Sequence, residues 1–183
     1  MNYSHAPMRL YILGYKTAAD LIAQKVIETD RDQDSLIYPI AFLYRQYIEL
    51  QLKDIINESR ILLSEGYGFP EHHKIKALWE LASQLMRRII ATVDESAGEY
   101  ITSEDFAFIE TMVYDFVKVD PGSMTFRYPK NKLGYSSLGE IRHINIRNLA
   151  EQITKLSKRL EKFDLVLGLL RDWQDEMHQT YGP

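Results

Sequence analysis

One apolar stretch, residues 34–56, constrains the fold of this chain more than any other feature. It reads DSLIYPIAFLYRQYIELQLKDII, and three of its few charged residues, Arg45, Glu49 and Lys53, recur at every fourth position. On a helix these three side chains lie along one line, and apolar residues cover most of the remaining circumference. A helix that is apolar on nearly every side is typical of the centre of a bundle. The line of charges is therefore either a surface strip or the floor of a polar site.

Helical periodicity extends over most of the chain. Apolar residues recur at three- and four-residue steps in residues 8–28, 73–93 and 146–179, which is the period of an amphipathic helix. The central helix is predicted to extend to about Ser64, with Asp34 or Ser35 as its cap and Pro39 in its first turn. We predict an all-α fold of about five helices.

The fourth predicted helix has clear signals at both ends. Thr102 and Asp105 have the spacing of a capping box at its start, and Asp120-Pro121-Gly122 ends it. Residues 121–145 then show no helical period. A connection of this length is uncommon in a compact domain unless it is functional or disordered, and its aromatic residues favour an ordered loop before the last helix.

Length and composition bound the class of protein. With 183 residues, of which 45% are hydrophobic, the chain suits a single helical domain spanning residues 1–183. It has no cysteine, which excludes disulfides, zinc sites with thiolate ligands and cysteine nucleophiles, and fits a cytoplasmic location. Its first residues do not resemble a signal peptide, and no apolar run approaches the ~20 residues that cross a bilayer, so no membrane association is expected.

A pair of histidines, His72-His73, stands at the predicted start of the third helix. His73 is a candidate acid or base because imidazole exchanges protons near neutral pH, and capping the helix is the alternative. The chain has no HExxH motif, cysteine partner or second well-spaced ligand set. We therefore predict no metal and no cofactor.

The segment 118–147 is basic within an otherwise acidic protein. It has six Lys and Arg against two acidic residues, whereas the whole chain has a formal net charge of -4. Arg127 lies between two aromatics in the sequence FRYP, so its guanidinium is a candidate for binding carboxylate or phosphate, and a loop anchor is the alternative. Arg142 and Arg147 stand near the start of the last helix, where backbone donors favour anions. A dinucleotide fingerprint, a P-loop and a serine-hydrolase elbow are absent from the sequence.

The motifs PIAFLYRQYIELQLKDII, HHKIKALWEL and FRYP together resemble a group of bacterial proteins related to the HEPN superfamily. The resemblance covers about residues 10–165, and in such relatives the central helix carries an Arg and a Glu spaced like Arg45 and Glu49. It implies an antiparallel helical bundle that is often dimeric and belongs to toxin, phage-defence or RNA-processing systems. The expected partners are RNA or a nucleotide, an antitoxin or other protein, and a second copy of the chain.

Ribonucleases of that superfamily place a His four to six residues after an Arg near the start of a late helix, and this sequence departs from that pattern. Arg142 is followed directly by His143, and no His follows Arg147 at the required distance. We therefore expect a binding module whose polar site is made from Arg45, Glu49, His73 and Arg127, brought together by folding, and holds an anionic ligand. Lys53, Arg142 and Arg147 are further candidate ligand-binding residues. The alternatives are a metal-independent endoribonuclease that uses His73 and Arg127, and a purely structural polar network.

Overall fold

The computed structural model describes residues 7–92, 100–130, 134 and 144–181. These residues form five helices and no β-strand, which confirms the predicted all-α fold. The helices are α1 (Pro7–Thr29), α2 (Gln33–Leu62), α3 (Ile75–Thr92), α4 (Ser103–Val119) and α5 (Ile146–Tyr181). None of the helices in this part of the chain is both long enough and apolar enough to cross a membrane.

The second helix, α2, lies at the centre of the bundle. It packs against α1, α3 and α5, while α4 closes the structure against α3 and α5. Its buried residues include three in succession, Tyr47, Ile48 and Glu49, and successive side chains on a helix point about 100° apart, so α2 is buried on more than one side. The central position predicted from the apolar circumference of this helix is confirmed.

The start of α2 corrects the sequence prediction. Its N-cap is Asp32, two residues before the predicted Asp34, and the Asp32 backbone carbonyl accepts from the N–H groups of Ser35 and Leu36. Asp32 adopts a left-handed backbone with φ of 60°, a conformation that aspartate tolerates better than most residues. Because the helix begins earlier, Pro39 lies inside it and not in its first turn.

The start of α3 also differs from the prediction. The first helical residue is Ile75, so His73 belongs to the loop between α2 and α3. At α4 the prediction is confirmed: the Thr102 side chain accepts from the Asp105 N–H, and the Asp105 carboxylate accepts from the Thr102 N–H. This capping box satisfies two backbone donors that a helix start otherwise leaves unpaired.

The core is one buried cluster that contains residues of all five helices. At its centre Trp79 of α3, Phe106 of α4 and Phe163 of α5 are packed together, with ring centroids 5.0 to 6.4 Å apart. The long loop predicted before α5 is described over residues 120–130. Most of its remainder, residues 131–133 and 135–143, lies outside the described residues.

Candidate functional site

The charged line of the central helix lies inside the protein. Arg45, Glu49 and Lys53 are all buried in α2. Their spacing places each within one helical turn of the next, so the Glu49 carboxylate pairs with both cations. Of the two interpretations drawn from the sequence, surface strip or polar site, the structure supports a buried polar site.

The guanidinium of Arg45 joins three separate segments of the chain. Its Nη1 lies 3.2 Å from Oε2 of Glu49 in the same helix, and its Nη2 donates to the backbone carbonyl of His73 at 2.7 Å. Its Nε lies 3.3 Å from Oδ2 of Asp120, after the end of α4. The contacts with Glu49 and His73 are hydrogen bonds, whereas the contact with Asp120 is an ion pair without hydrogen-bond geometry, because among the described residues neither Nε of Arg45 nor Oδ2 of Asp120 has a hydrogen-bond partner. The planar guanidinium thus connects α2 with two loops.

Asp120 is a member of this network that the sequence analysis did not identify. Its buried carboxylate pairs with Arg45 through Oδ2, and its Oδ1 accepts from the backbone N–H groups of Met124 at 2.7 Å and Thr125 at 3.0 Å. An aspartate before Pro-Gly is a known signal for such side-chain bonds to the following backbone. The sequence signalled the turn, but it contained nothing that linked the turn to Arg45.

Glu49 is the centre of the charge network. Its Oε1 binds two groups, the ammonium of Lys53 at 2.9 Å and Nδ1 of His73 at 2.7 Å. Burial favours the neutral acid and would raise the pKa of Glu49. The hydrogen bonds and charges of His73 and Lys53 outweigh this effect, and the pKa lies below its ordinary value of 4.5. Glu49 is therefore ionised at neutral pH.

Lys53 has an apolar neighbour in addition to its carboxylate. Its ammonium lies 5.4 Å from the ring centroid of Phe69, in the loop before α3. A cation over an aromatic face is attracted by the negative charge density of that face. The loop that carries His73 therefore contacts α2 at both Phe69 and His73.

His73 connects the buried network to the surface. Its side chain is 63% exposed although its Nδ1 touches the buried Glu49. An ionised carboxylate offers only acceptors, so Nδ1 carries the proton in this contact, and Nε2 of the neutral ring is then an acceptor. The geometry fixes the tautomer and orientation of an accessible imidazole.

Arg127 lies on the loop after α4, the loop whose backbone N–H groups donate to Asp120. Its Nε donates to the Ser123 carbonyl at 2.6 Å, and its guanidinium lies 5.7 Å from the ring centroid of Phe42 and 5.8 Å from that of Tyr128. The side chain is exposed, and its described contacts do not include Arg45, Glu49, Lys53 or His73. Among the described contacts, the loop approaches the network through Asp120.

Of the remaining two predicted site residues, Arg142 falls outside the described residues, and Arg147 lies apart from this network. Arg147 is exposed in the first turn of α5 and lines a small polar pocket of about 200 Å³ with Asp30, Gln33 and Asn145. Asn145 caps α5, since its Oδ1 accepts from the N–H of Asn148.

The buried charges balance. Arg45 and Lys53 supply two positive charges, and Glu49 and Asp120 supply two negative charges. Buried ions without partners are expensive, and this arrangement leaves none of the four uncompensated. In the part of the chain that the structure describes, no group of three or more His, Cys, Asp or Glu side chains is placed to hold a metal ion.

Comparison of the chain with protein-family models, with curated proteins and with solved structures gave no match. The function is therefore inferred from the geometry of the network and from the residues that it presents at the surface.

Proposed function

We propose that this chain is a HEPN-like helical module that binds an anionic ligand, RNA or a nucleotide, at the surface where His73 leaves the buried network. The observation that carries the proposal is the 2.7 Å contact between the buried Glu49 carboxylate and the largely exposed His73 ring. Such a contact orients the imidazole and leaves its opposite edge for a ligand.

Charge balance supports an anionic ligand. The two cations and two carboxylates below the surface neutralise one another. A proton on His73 then gives the whole network a net positive charge, located at its exposed end. A phosphate group is attracted to such a site and accepts a hydrogen bond from Nε2 of the imidazolium.

The architecture supports a binding surface made from two loops. Arg45 binds the carbonyl of His73 in one loop and the carboxylate of Asp120 in the other. The second loop also carries Arg127, whose side chain is exposed. The loop that carries His73 and the loop that carries Arg127 are thus both held by the Arg45 guanidinium. Because these loops are already held in place, they lose less conformational entropy when a ligand binds.

The HEPN-like assignment and the partners that it implies belong to this proposal. They rest on the resemblance of the motifs LYRQYIEL, HHKIKALWEL and FRYP. The implied context is a toxin or defence system, in which an antitoxin or another protein is a further partner.

The test is a binding titration with a matched pair of histidine variants. Fluorescence anisotropy of a labelled single-stranded RNA and of a labelled nucleotide would be measured with the wild type, His73→Ala and His72→Ala. His72 is the control because it is the adjacent histidine, is exposed, and accepts only the backbone N–H of Lys74 in the described contacts. We expect His73→Ala to weaken binding about tenfold, the effect of one lost charged hydrogen bond, and His72→Ala to have little effect. Equal effects of the two substitutions would contradict the proposal.

A metal-independent endoribonuclease is the second candidate function, and one observation favours it. A carboxylate that holds Nδ1 of an accessible histidine leaves Nε2 as an acceptor, the arrangement of a general base. RNA cleavage also needs a cation that stabilises the charged transition state, and Arg127 is the exposed arginine of the adjoining loop. Incubation of total RNA without divalent metal tests this function: cleavage that is lost in both His73→Ala and Arg127→Ala would establish it over simple binding.

The same variants separate both functions from a purely structural network. If Arg45, Glu49, Lys53 and His73 serve only to fasten the loops, single substitutions lower thermal stability sharply, and any ligand binding of the folded protein is unchanged. Loss of affinity in His73→Ala with an unchanged melting temperature would instead support the binding site.

A further inference from the structure

The loop between α2 and α3 carries Tyr67, a strongly exposed aromatic side chain. Its exposed fraction is 88%, so the faces of its ring are open to solvent. A glycine stands on each side of it, and Gly66 and Gly68 both adopt a positive φ, of 91° and 95°. Glycine adopts such a backbone without the strain that other residues incur. The two glycines thus allow a sharp bend at which the Tyr67 side chain is turned to solvent.

The bend is held in place on both sides of this ring. After it, the N–H of Gly68 donates to Oδ1 of Asn57 at 2.7 Å, and the carbonyl of Gly68 accepts from Arg60 at 3.1 Å. Before it, Glu65 is paired with Arg88 of α3, which also balances the charge of the acidic residue nearest to the ring in the sequence. A ring carried on a backbone that is already held loses little conformational entropy when it binds a partner.

From this bend the loop returns along α2 to the proposed binding surface. Gly68 contacts α2 at Asn57, and His73 contacts it at Glu49. These two positions on α2 are separated by about 12 Å along the helix axis. The exposed ring and the exposed imidazole are thus two contact points on the same loop, and they are well separated from each other.

We propose that Tyr67 stacks on a base of a single RNA strand that has one of its phosphates bound at His73. In a mononucleotide one sugar joins the base to the phosphate, and this connection is shorter than the separation along α2. A base that reaches Tyr67 therefore belongs to a neighbouring nucleotide of the same strand. Because this role requires a phosphate at His73, it rests on the proposed function, and it favours a strand over a mononucleotide as the ligand.

A base accounts for a feature of the loop that phosphate binding does not require. A phosphate is bound by cations and hydrogen-bond donors, whereas Tyr67 offers a flat aromatic surface apart from the buried charges. Every base has a flat face, so stacking on an aromatic ring tolerates any sequence, and it changes the affinity about tenfold for each base.

The test is isothermal titration calorimetry with three probes of defined chemistry. They are adenosine monophosphate, an adenosine trinucleotide with a terminal phosphate, and the same trinucleotide backbone without its bases. The wild type, Tyr67→Ala, Tyr67→Phe and His73→Ala are compared. Tyr11→Ala is the control, because Tyr11 is also strongly exposed, at 64%, and lies on α1. The melting temperature of each variant checks that it is folded.

We expect Tyr67→Ala to bind the trinucleotide about tenfold more weakly and to bind the monophosphate and the abasic backbone like the wild type. Tyr67→Phe keeps the ring and should bind the trinucleotide like the wild type, as should the control. His73→Ala should weaken the binding of both the trinucleotide and the monophosphate.

The possible failures of this inference and of the proposed function are distinguishable. Trinucleotide binding that is weakened by His73→Ala but not by Tyr67→Ala overturns the stacking role alone. An equal loss for the monophosphate or for the abasic backbone in Tyr67→Ala overturns it as well, because the effect would not depend on a neighbouring base. Tyr67→Phe as weak as Tyr67→Ala would assign the effect to the hydroxyl and overturn stacking. A wild type that binds none of the probes overturns both proposals.

Discussion

Replacement of Glu49 by glutamine tests the energetics of the buried network. Glu49→Gln keeps the size of the side chain but removes one negative charge from a network that contains two cations and two carboxylates. Among the described carboxylates of this network, Asp120 alone then remains to balance Arg45 and Lys53. The variant therefore has one buried positive charge that is not compensated.

Loss of one partner from a buried ion pair costs about 3–5 kcal/mol. Lys53 has slight access to solvent, so its ammonium can gain some hydration, and we expect the lower end of this range, about 3 kcal/mol. A domain of this size has a free energy of unfolding of about 5–15 kcal/mol. The loss should be easily measured without abolishing folding.

The assay is urea unfolding followed by circular dichroism, for the wild type, Glu49→Gln, Lys53→Met and the double variant. The double variant has one cation and one carboxylate again, so it should recover a large part of the stability lost in Glu49→Gln. A loss below about 1 kcal/mol in Glu49→Gln would refute the reasoning, because the network would then be screened by solvent. A double variant less stable than Glu49→Gln would refute it as well.

The difference in the free energy of unfolding between the wild type and Glu49→Gln depends on pH. The pKa of Glu49 is lowered in the folded protein, so its contribution to stability is present above its ordinary pKa of 4.5 and is lost as the pH falls through the lowered value. The difference between the wild type and Glu49→Gln should therefore shrink in acid.

Three further predictions concern other parts of the chain. Burial raises the pKa of Asp164 to about 6 although Gln51 donates to it, so the native state loses stability as the pH rises from about 4 to about 6. Asp164→Asn should stabilise the protein by about 1–2 kcal/mol near pH 7 and not near pH 4, as measured by urea unfolding at both pH values. Oγ1 of Thr102 accepts from the N–H of Asp105 and caps α4. Thr102→Ala removes this cap and should lower the free energy of unfolding by about 1 kcal/mol. Arg127→Ala changes an exposed side chain and should alter the free energy of unfolding by less than about 0.5 kcal/mol in the same assay, which makes it a suitable probe of function.

The helices could be predicted from the sequence because their apolar spacing is local information. The central position of α2 follows from its apolar circumference, and the cap of α4 from the spacing of Thr102 and Asp105. The errors occurred at helix ends, where Asp32 adopts a left-handed backbone and His73 remains in a loop. Such ends depend on backbone conformations that residue type favours only weakly.

Part of the site could also be predicted, because spacing within one helix is local information. Arg45, Glu49 and Lys53 lie on one helix, so their spacing reveals that they are neighbours. That Glu49 and His73 belong to one site was a hypothesis about two separate segments, and the structure brings these two residues together. The hydrogen bonds described for Arg127, the fourth residue of that hypothesis, go to its own loop. Asp120 was missed because a partner of Arg45 from a distant turn leaves no periodic signal, and only folding reveals it.

The central claim is that buried Glu49 holds the exposed His73 ring by Nδ1 and leaves Nε2 for a ligand. Long-range proton–nitrogen NMR spectra of the histidine rings test it directly, with His73→Ala used to assign the His73 signals. We predict that neutral His73 carries its proton on Nδ1. When a nucleotide is added, the signal of Nε2 should move towards that of a protonated nitrogen, because the phosphate accepts a hydrogen bond from Nε2 of the imidazolium. A proton on Nε2 of neutral His73, or ring signals that do not move at any nucleotide concentration, would contradict the account.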